Sequence, residues 1–160
     1  MRGLRRSKPE VLAIHQPAEG QQSETERNKA VIRRFVEEVQ NQKDWAIYDE
    51  LNDPEFVNLS APPGVPPDRE GGKMFLQAFA SAFPDAKFTI DDMIAEGDRV
   101  ATKKTFTGTQ TGDFGDIPAT GNRVTVQYVD ILRVRDGRIV EHWLSMDQLS
   151  MLQQLGAVPT

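Results

Sequence analysis

Apolar residues return every three or four positions through the first half of the chain and alternate through most of the second half, so the pattern changes from helical to extended near Pro84. Ser23-Glu24-Thr25-Glu26 has the form of a capping box, with Ser23 as cap and Glu26 reaching back to the N–H of the cap residue. Ile32, Phe35, Val36 and Val39 then follow as the stripe of a first helix, expected to face a core. Asp44 caps a second, short helix with Trp45, Tyr48 and Leu51 on one side, which Asp53-Pro54 interrupts. Phe56 to Leu59 reads as a short extended piece, and Ala61 to Pro67, with four prolines and one glycine in seven residues, reads as a loop. Phe75, Ala78, Phe79 and Ala82 predict a third helix from Arg69 to Phe83, closed by Pro84.

Beyond Pro84 four segments rich in Thr, Val, Ile and Phe are predicted as strands: Lys87 to Ala95, Val100 to Thr109, Arg123 to Arg135 and Arg138 to Met146. A last helical turn has Asp147 as cap, Leu149, Leu152 and Leu155 as its apolar side and Gly156 as terminator. Helices first and strands afterwards imply an α+β domain whose helices cover one face of a curved sheet, with room for a pocket between them.

Composition narrows this picture. A chain of 160 residues, 38% hydrophobic, supplies one core but hardly two, which gives a single domain over 23–160 preceded by a flexible arm over 1–22. The arm carries Arg2, Arg5, Arg6 and Lys8, but its apolar run from Val11 to Ile14 is too short for an export signal; His15 lies there and is given no function. No membrane span is expected, and the plain reading of location is cytoplasmic. The net charge of −5 argues against nucleic acid, the lack of cysteine removes thiolate chemistry, and two histidines are too few for a histidine-rich metal site. Neither metal nor cofactor is expected.

The chemistry is suggested by strand parity, since successive side chains point to opposite faces. From Arg123 to Arg135 one face reads Val124, Val126, Tyr128, Asp130, Leu132 and Val134, apolar or aromatic except for Asp130. On the next strand Val140, His142, Leu144 and Met146 share a face, again with one polar interruption, while Ile139, Glu141, Trp143 and Ser145 take the other. A three-residue turn around Asp136-Gly137 pairs Val134 with Arg138 and sets Asp130 opposite His142 and Tyr128 opposite Leu144; a two-residue turn would set Asp130 beside Trp143. The first register aligns the apolar faces and is the one expected. A carboxylate on such a face meets a desolvation cost that an imidazole can offset. The Asp130–His142 pair then reads in two ways: as a proton-exchanging centre, with Tyr128 donating to a developing oxyanion, or as two buried polar residues satisfying each other. Trp45 and Phe79 are core or pocket wall, Asn58 could point inward, and Thr102, Lys103, Lys104 and Thr105 are expected in solvent.

The loop and strand from Thr111 to Val124, the hairpin from Val129 to Trp143 and the ending Gln153-Gln154-Leu155-Gly156 resemble the SnoaL-like polyketide cyclases over about Glu26 to Gly156. The resemblance implies the cone-shaped α+β barrel of the nuclear transport factor 2-like superfamily, commonly a homodimer through the outer sheet face, and an acid/base aldol ring closure without cofactor. Gln127, Val129, Ile131, Ile139 and Trp143 would form that shared surface. By position the family's inward histidine falls on Asp130, its pocket asparagine on Asn58 and its acid/base aspartate on Leu144, which cannot move a proton. The expected function is therefore an acid/base enzyme acting on a small apolar carbonyl or polyketide-like compound, with Asp130 as general acid/base, His142 tuning it, and Asn58, Tyr128, Leu144, Trp45 and Phe79 around the substrate. Water attack on an epoxide and a non-catalytic small-molecule-binding module are the alternatives.

Overall fold

A computed structural model of the chain describes residues 22–160, so the greater part of the N-terminal arm and His15 lie outside the described residues. Helix α1 (Glu24–Arg34) starts where the Glu26 amide donates to Ser23 Oγ at 3.3 Å, while the Glu26 carboxylate turns to Lys29 at 3.4 Å rather than back to the cap. It runs directly into a π-helical segment, Phe35–Asn41, in which the Gln42 amide donates to the Glu37 carbonyl. Asp44 caps α2 (Trp45–Leu51) by accepting from the Ala46 and Ile47 amides. Asp68 caps α3 (Arg69–Ala82), which ends before Pro84, and Asp147 caps α4 (Gln148–Gln154), which Gly156 ends at φ 74°. In α4 the buried side chain is Met151, with Leu155 after it; Leu149, expected on the apolar side, is exposed.

The strands are β1 (Asn52–Asn58), β2 (Lys87–Glu96), β3 (Arg99–Thr109), β4 (Arg123–Arg135) and β5 (Arg138–Met146), joined in one sheet in the order β1-β5-β4-β3-β2. The sheet is mixed: β1 runs parallel to β5, and every other pairing is antiparallel. Being an edge strand lets β1 keep Pro54, whose missing N–H breaks no interior ladder. Helices on one face of this sheet are the α+β architecture that the change of periodicity predicts.

The β4–β5 register departs from the expected one. Asp136 (φ 50°) and Gly137 (φ 77°) both take left-handed backbone, the mark of a two-residue type I′ turn, and pair Arg135 with Arg138. Val134 then pairs with Ile139, but Arg133 pairs with Glu141, which leaves Val140 as an extra residue in a β-bulge. The bulge restores the parity that the short turn would have lost. In consequence Asp130 stands opposite Leu144, Leu132 opposite His142 and Tyr128 opposite Met146. It also turns Ile139 inward, fully buried, and removes it from the outer face expected for a dimer; Val129, Ile131 and Trp143 remain exposed there.

Two apolar clusters fill the space between helices and sheet. One joins Ile32, Phe35, Val39, Tyr48 and Leu51 to Val100, Leu132, Val134 and Ile139 of the sheet. The other joins Phe83, Phe88, Phe106, Val124, Val126 and Tyr128 to Met151 and Leu155. Between them on the inner face lie Thr102, Lys104 and Asp130, all buried. The expectation that Thr102 and Lys104 face solvent is therefore wrong. Val100, Thr102, Lys104 and Phe106 share one strand face, and the two apolar members carry the polar two inside.

Candidate active site

Asp130 is 2% exposed in the middle of β4. The Thr102 hydroxyl, directly across on β3, donates to Oδ1; the Lys104 ammonium, one diagonal step along, donates to Oδ2 at 2.8 Å. His142 Nε2 approaches the same Oδ2 at 3.4 Å from β5. The expected contact thus forms, but diagonally rather than face to face, because the bulge at Val140 has moved His142 one pair along. Burial alone would push the carboxyl up; the His142 hydrogen bond and the Lys104 charge outweigh it and hold Asp130 at about 2. The carboxylate is consequently ionised near neutrality with both oxygens engaged.

His142 is the open member of the group. Its side chain is 23% accessible against 3% for Asp130 and 1% for Lys104. With Nε2 turned to the carboxylate, Nδ1 takes no hydrogen bond among the described residues. Asn58 of β1 pairs in parallel with His142, so the two share the inner face. The Asn58 carbonyl oxygen accepts from the Ser60 amide, which leaves the amide NH₂ for another acceptor. Leu144 contributes an apolar wall opposite Asp130.

The remaining expected site residues are divided. Tyr128 is buried two positions before Asp130, with Lys104 Nζ 5.6 Å from its ring centre. Burial, then the Asp130 charge, push its phenol well up, so it is a neutral hydroxyl. Trp45 and Phe79 do not join the Asp130 group: they line a cavity of about 10 Å³ with Val39, Gln40, Leu76 and Phe88. That is room for about one water molecule. Sequence reasoning missed Thr102 and Lys104, although the parity test applied to β4 would have found them on β3, between Val100 and Phe106. Among the described residues no group of three His, Asp or Glu side chains is placed to hold a metal ion, and no helix is long and apolar enough to cross a membrane.

Taken together, a helix-covered mixed sheet that encloses Asp130, Lys104 and Thr102 beside His142 between two apolar clusters defines an α+β protein with a buried charged group on its inner face. The chain belongs to the SnoaL-like polyketide cyclase family, whose model matches residues 30–155. Among solved structures, TsrD from Streptomyces laurentii is 32% identical, with 82% of this chain and 96% of that one covered and a TM-score of 0.75. IdmH from Streptomyces antibioticus is 36% identical, with 81% and 98% covered and a TM-score of 0.70. AclR from Streptomyces galilaeus is 31% identical over 83% of each chain, with a TM-score of 0.73. No curated protein sequence matches the chain.

Proposed function

We propose that the protein catalyses an acid/base ring closure or isomerisation of a small polyketide-like carbonyl compound, with His142 rather than Asp130 moving the proton. The observation that carries this reading is the division of labour in the pair: both Asp130 oxygens are occupied, by Thr102, Lys104 and His142, while His142 Nδ1 meets no partner among the described residues. A carboxylate already neutralised by a lysine is a poor proton acceptor. Its negative charge instead fixes the Nε2–H tautomer and stabilises the imidazolium that forms when Nδ1 accepts a proton.

In this scheme Nδ1 of His142 removes a proton from the carbon next to a carbonyl, and the Asn58 amide donates to the developing enolate oxygen. The enolate carbon attacks a second carbonyl of the same molecule, forming the ring bond. The imidazolium then returns its proton to the new alkoxide. The product is an isomer of the substrate, so the balance needs no added oxidant or reductant. Leu144, at the family's acid/base position, is replaced in role by His142, one pair along on the same strand face.

The test is exchange of α-hydrogens for deuterium in a simple bicyclic ketone, 2-tetralone, followed by NMR. His142→Gln is expected to lower the enzyme-dependent rate by about 10²–10⁴-fold. Asp130→Asn is expected to lower it as well while leaving His142 in place. Undiminished exchange by the His142→Gln variant would remove His142 from the mechanism. A competing reading, a module that binds without turnover, is favoured by Leu144 and by the small cavity; it predicts background exchange in the wild type too.

A further inference from the structure

The proline-rich loop from Leu59 to Pro67 has no part in the proton transfer, yet it closes on Asn58. The Asn58 backbone N–H donates to the Pro67 carbonyl at 2.8 Å, and the Asn58 carbonyl accepts from the Ala61 amide at 3.4 Å. Its side-chain oxygen accepts from the Ser60 amide at 3.0 Å. Three of the four polar groups of this residue are therefore held by the loop that follows it. The side-chain NH₂ alone meets no partner among the described residues, and the loop decides where its two donors point.

The loop is anchored at both ends. At its start the Leu59 amide donates to the His142 carbonyl at 2.8 Å, extending the parallel β1–β5 ladder by one rung. In the rung after that the Leu144 amide would meet the Leu59 carbonyl. It donates instead to Ser60 Oγ at 2.9 Å, and the Ser60 hydroxyl donates to the Leu144 carbonyl at 3.4 Å. The hydroxyl thus stands in for the ladder and lets the chain turn away from β5 beside Leu144. At the far end the Pro66 backbone lies against the first turn of α3, where a methyl group on Gly71 would stand 1.9 Å from the Pro66 carbonyl oxygen. Only glycine admits that approach. Between the anchors Pro62, Pro63, Pro66 and Pro67 fix their own φ angles, which makes the loop stiff enough to carry a displacement from one end to the other.

We infer that Ser60 and Gly71 are positioning residues, which brace the loop 59–67 at its two ends and so aim the Asn58 NH₂ group at the substrate oxygen. Ser60 ties the loop to the strand that carries His142, so the imidazole and the donor to the developing enolate share one frame. Gly71 seats the other end on α3, and the Pro67 carbonyl passes that seat on to the Asn58 backbone. The gain is preorganisation: a donor already in place when charge develops needs no reorganisation to meet it. The inference rests on the proposed role of Asn58 in the ring closure, but one of its two readouts does not need that role.

Two measurements on the full chain test it. By NMR of isotope-labelled protein, the Asn58 side-chain amide gives a pair of proton signals, identified by their absence from Asn58→Ala. Ser60→Ala and Gly71→Ala should each displace that pair, whereas Ser60→Thr, which keeps the hydroxyl, should leave it in place. Ser60→Ala retains the backbone N–H that Asn58 accepts from, so a displacement reports the lost anchor. In the 2-tetralone exchange assay each of these two alanine variants should lower kcat about 10- to 100-fold with KM within about twofold, the mark of a misplaced group that acts in the transition state. Adding Ser60→Ala to Asn58→Ala should cost nothing further. Circular dichroism checks folding, and Ser60→Ala decides alone if Gly71→Ala does not fold. Background exchange by the wild type would sink the proposed ring closure and leave the amide signals to decide the bracing. Asn58 signals unmoved in either folded variant, an unchanged kcat in an exchanging enzyme, or a rate loss as large without Asn58 as with it would overturn the inference.

Discussion

Two ionic groups sit back to back on β4, three residues apart. On the outer face Arg133 meets Asp98 at 3.0 Å and Glu141 at 2.9 Å, with all three side chains between 32% and 42% accessible. On the inner face Asp130 meets Lys104 at 2.8 Å and His142 at 3.4 Å, with Asp130 and Lys104 almost fully enclosed. Each group sets one ion between two partners at comparable distances, and the surroundings separate them. In solvent an ion pair is screened and loses side-chain freedom for little gain. Inside, each charge has given up its hydration, and the attraction roughly repays that loss rather than exceeding it. The outer group is thus a clamp on the hairpin that water makes weak. The inner group is strong but stabilises little in net terms, because apolar residues in the same space would hold the two flanking clusters together as well. A device that adds so little to stability and lies against the open histidine fits the proposed role of orienting that imidazole.

The largest expected effect breaks one partner of the inner group. Lys104→Met leaves Asp130 buried beside His142 without its cation and should lower unfolding free energy by about 3–5 kcal/mol in urea titrations. Replacing both charges, Lys104→Met with Asp130→Leu, should recover most of that loss, since the space becomes apolar between clusters that are already apolar. A single variant as stable as the wild type would place the inner group on the same footing as the outer one and erase the contrast between them.

That contrast was half visible in the amino-acid order. Asp130 and His142 interrupt two apolar rows, and alternation alone assigns both to the inner face, where they are found. The helices are equally legible because caps such as Ser23, Asp44 and Asp147 and the stop at Pro84 act locally. Lys104 was hidden by a different prior: in Thr102-Lys103-Lys104-Thr105 four polar residues in a row suggest solvent, and only the distant apolar pair Val100 and Phe106 shows that alternate members must turn inward. The exact pairing of Asp130 was hidden for another reason. Turn length and bulge each shift a hairpin by one residue, and their sum restores the parity of the faces while changing which residues are opposite. The adjacent apolar pair Ile139-Val140, ahead of the outward Glu141, is the trace that the bulge leaves in the sequence.

Acid sharpens the comparison at a smaller scale. Asp130 has a folded value of about 2 against an ordinary 3.8, a lowered carboxyl whose stabilisation is fully present above about pH 4 and is lost as pH falls from there through 2. The shift corresponds to about 2 kcal/mol. Urea midpoints measured between pH 5 and 2 should therefore fall more steeply for the wild type than for Asp130→Asn, which has no proton to take up at this position. Parallel slopes would mean that Asp130 is not held ionised by its neighbours, and the tautomer argument for His142 would lose its basis.

The smallest effect belongs to the outer face, and it is informative because it is small. Arg133→Met removes the cation shared by Asp98 and Glu141 but leaves both carboxylates in contact with water, so neither becomes an uncompensated buried charge. The urea midpoint should stay within experimental error of the wild type, and 1 M salt should abolish what difference there is, since the Debye length there is about 3 Å. The same salt should leave the loss caused by Lys104→Met largely intact, because ions do not reach a lysine that is 1% accessible. If Arg133→Met proved as damaging as Lys104→Met, enclosure would not be what distinguishes the two faces of β4, and the inner charges would need no functional explanation beyond the one that serves the outer ones.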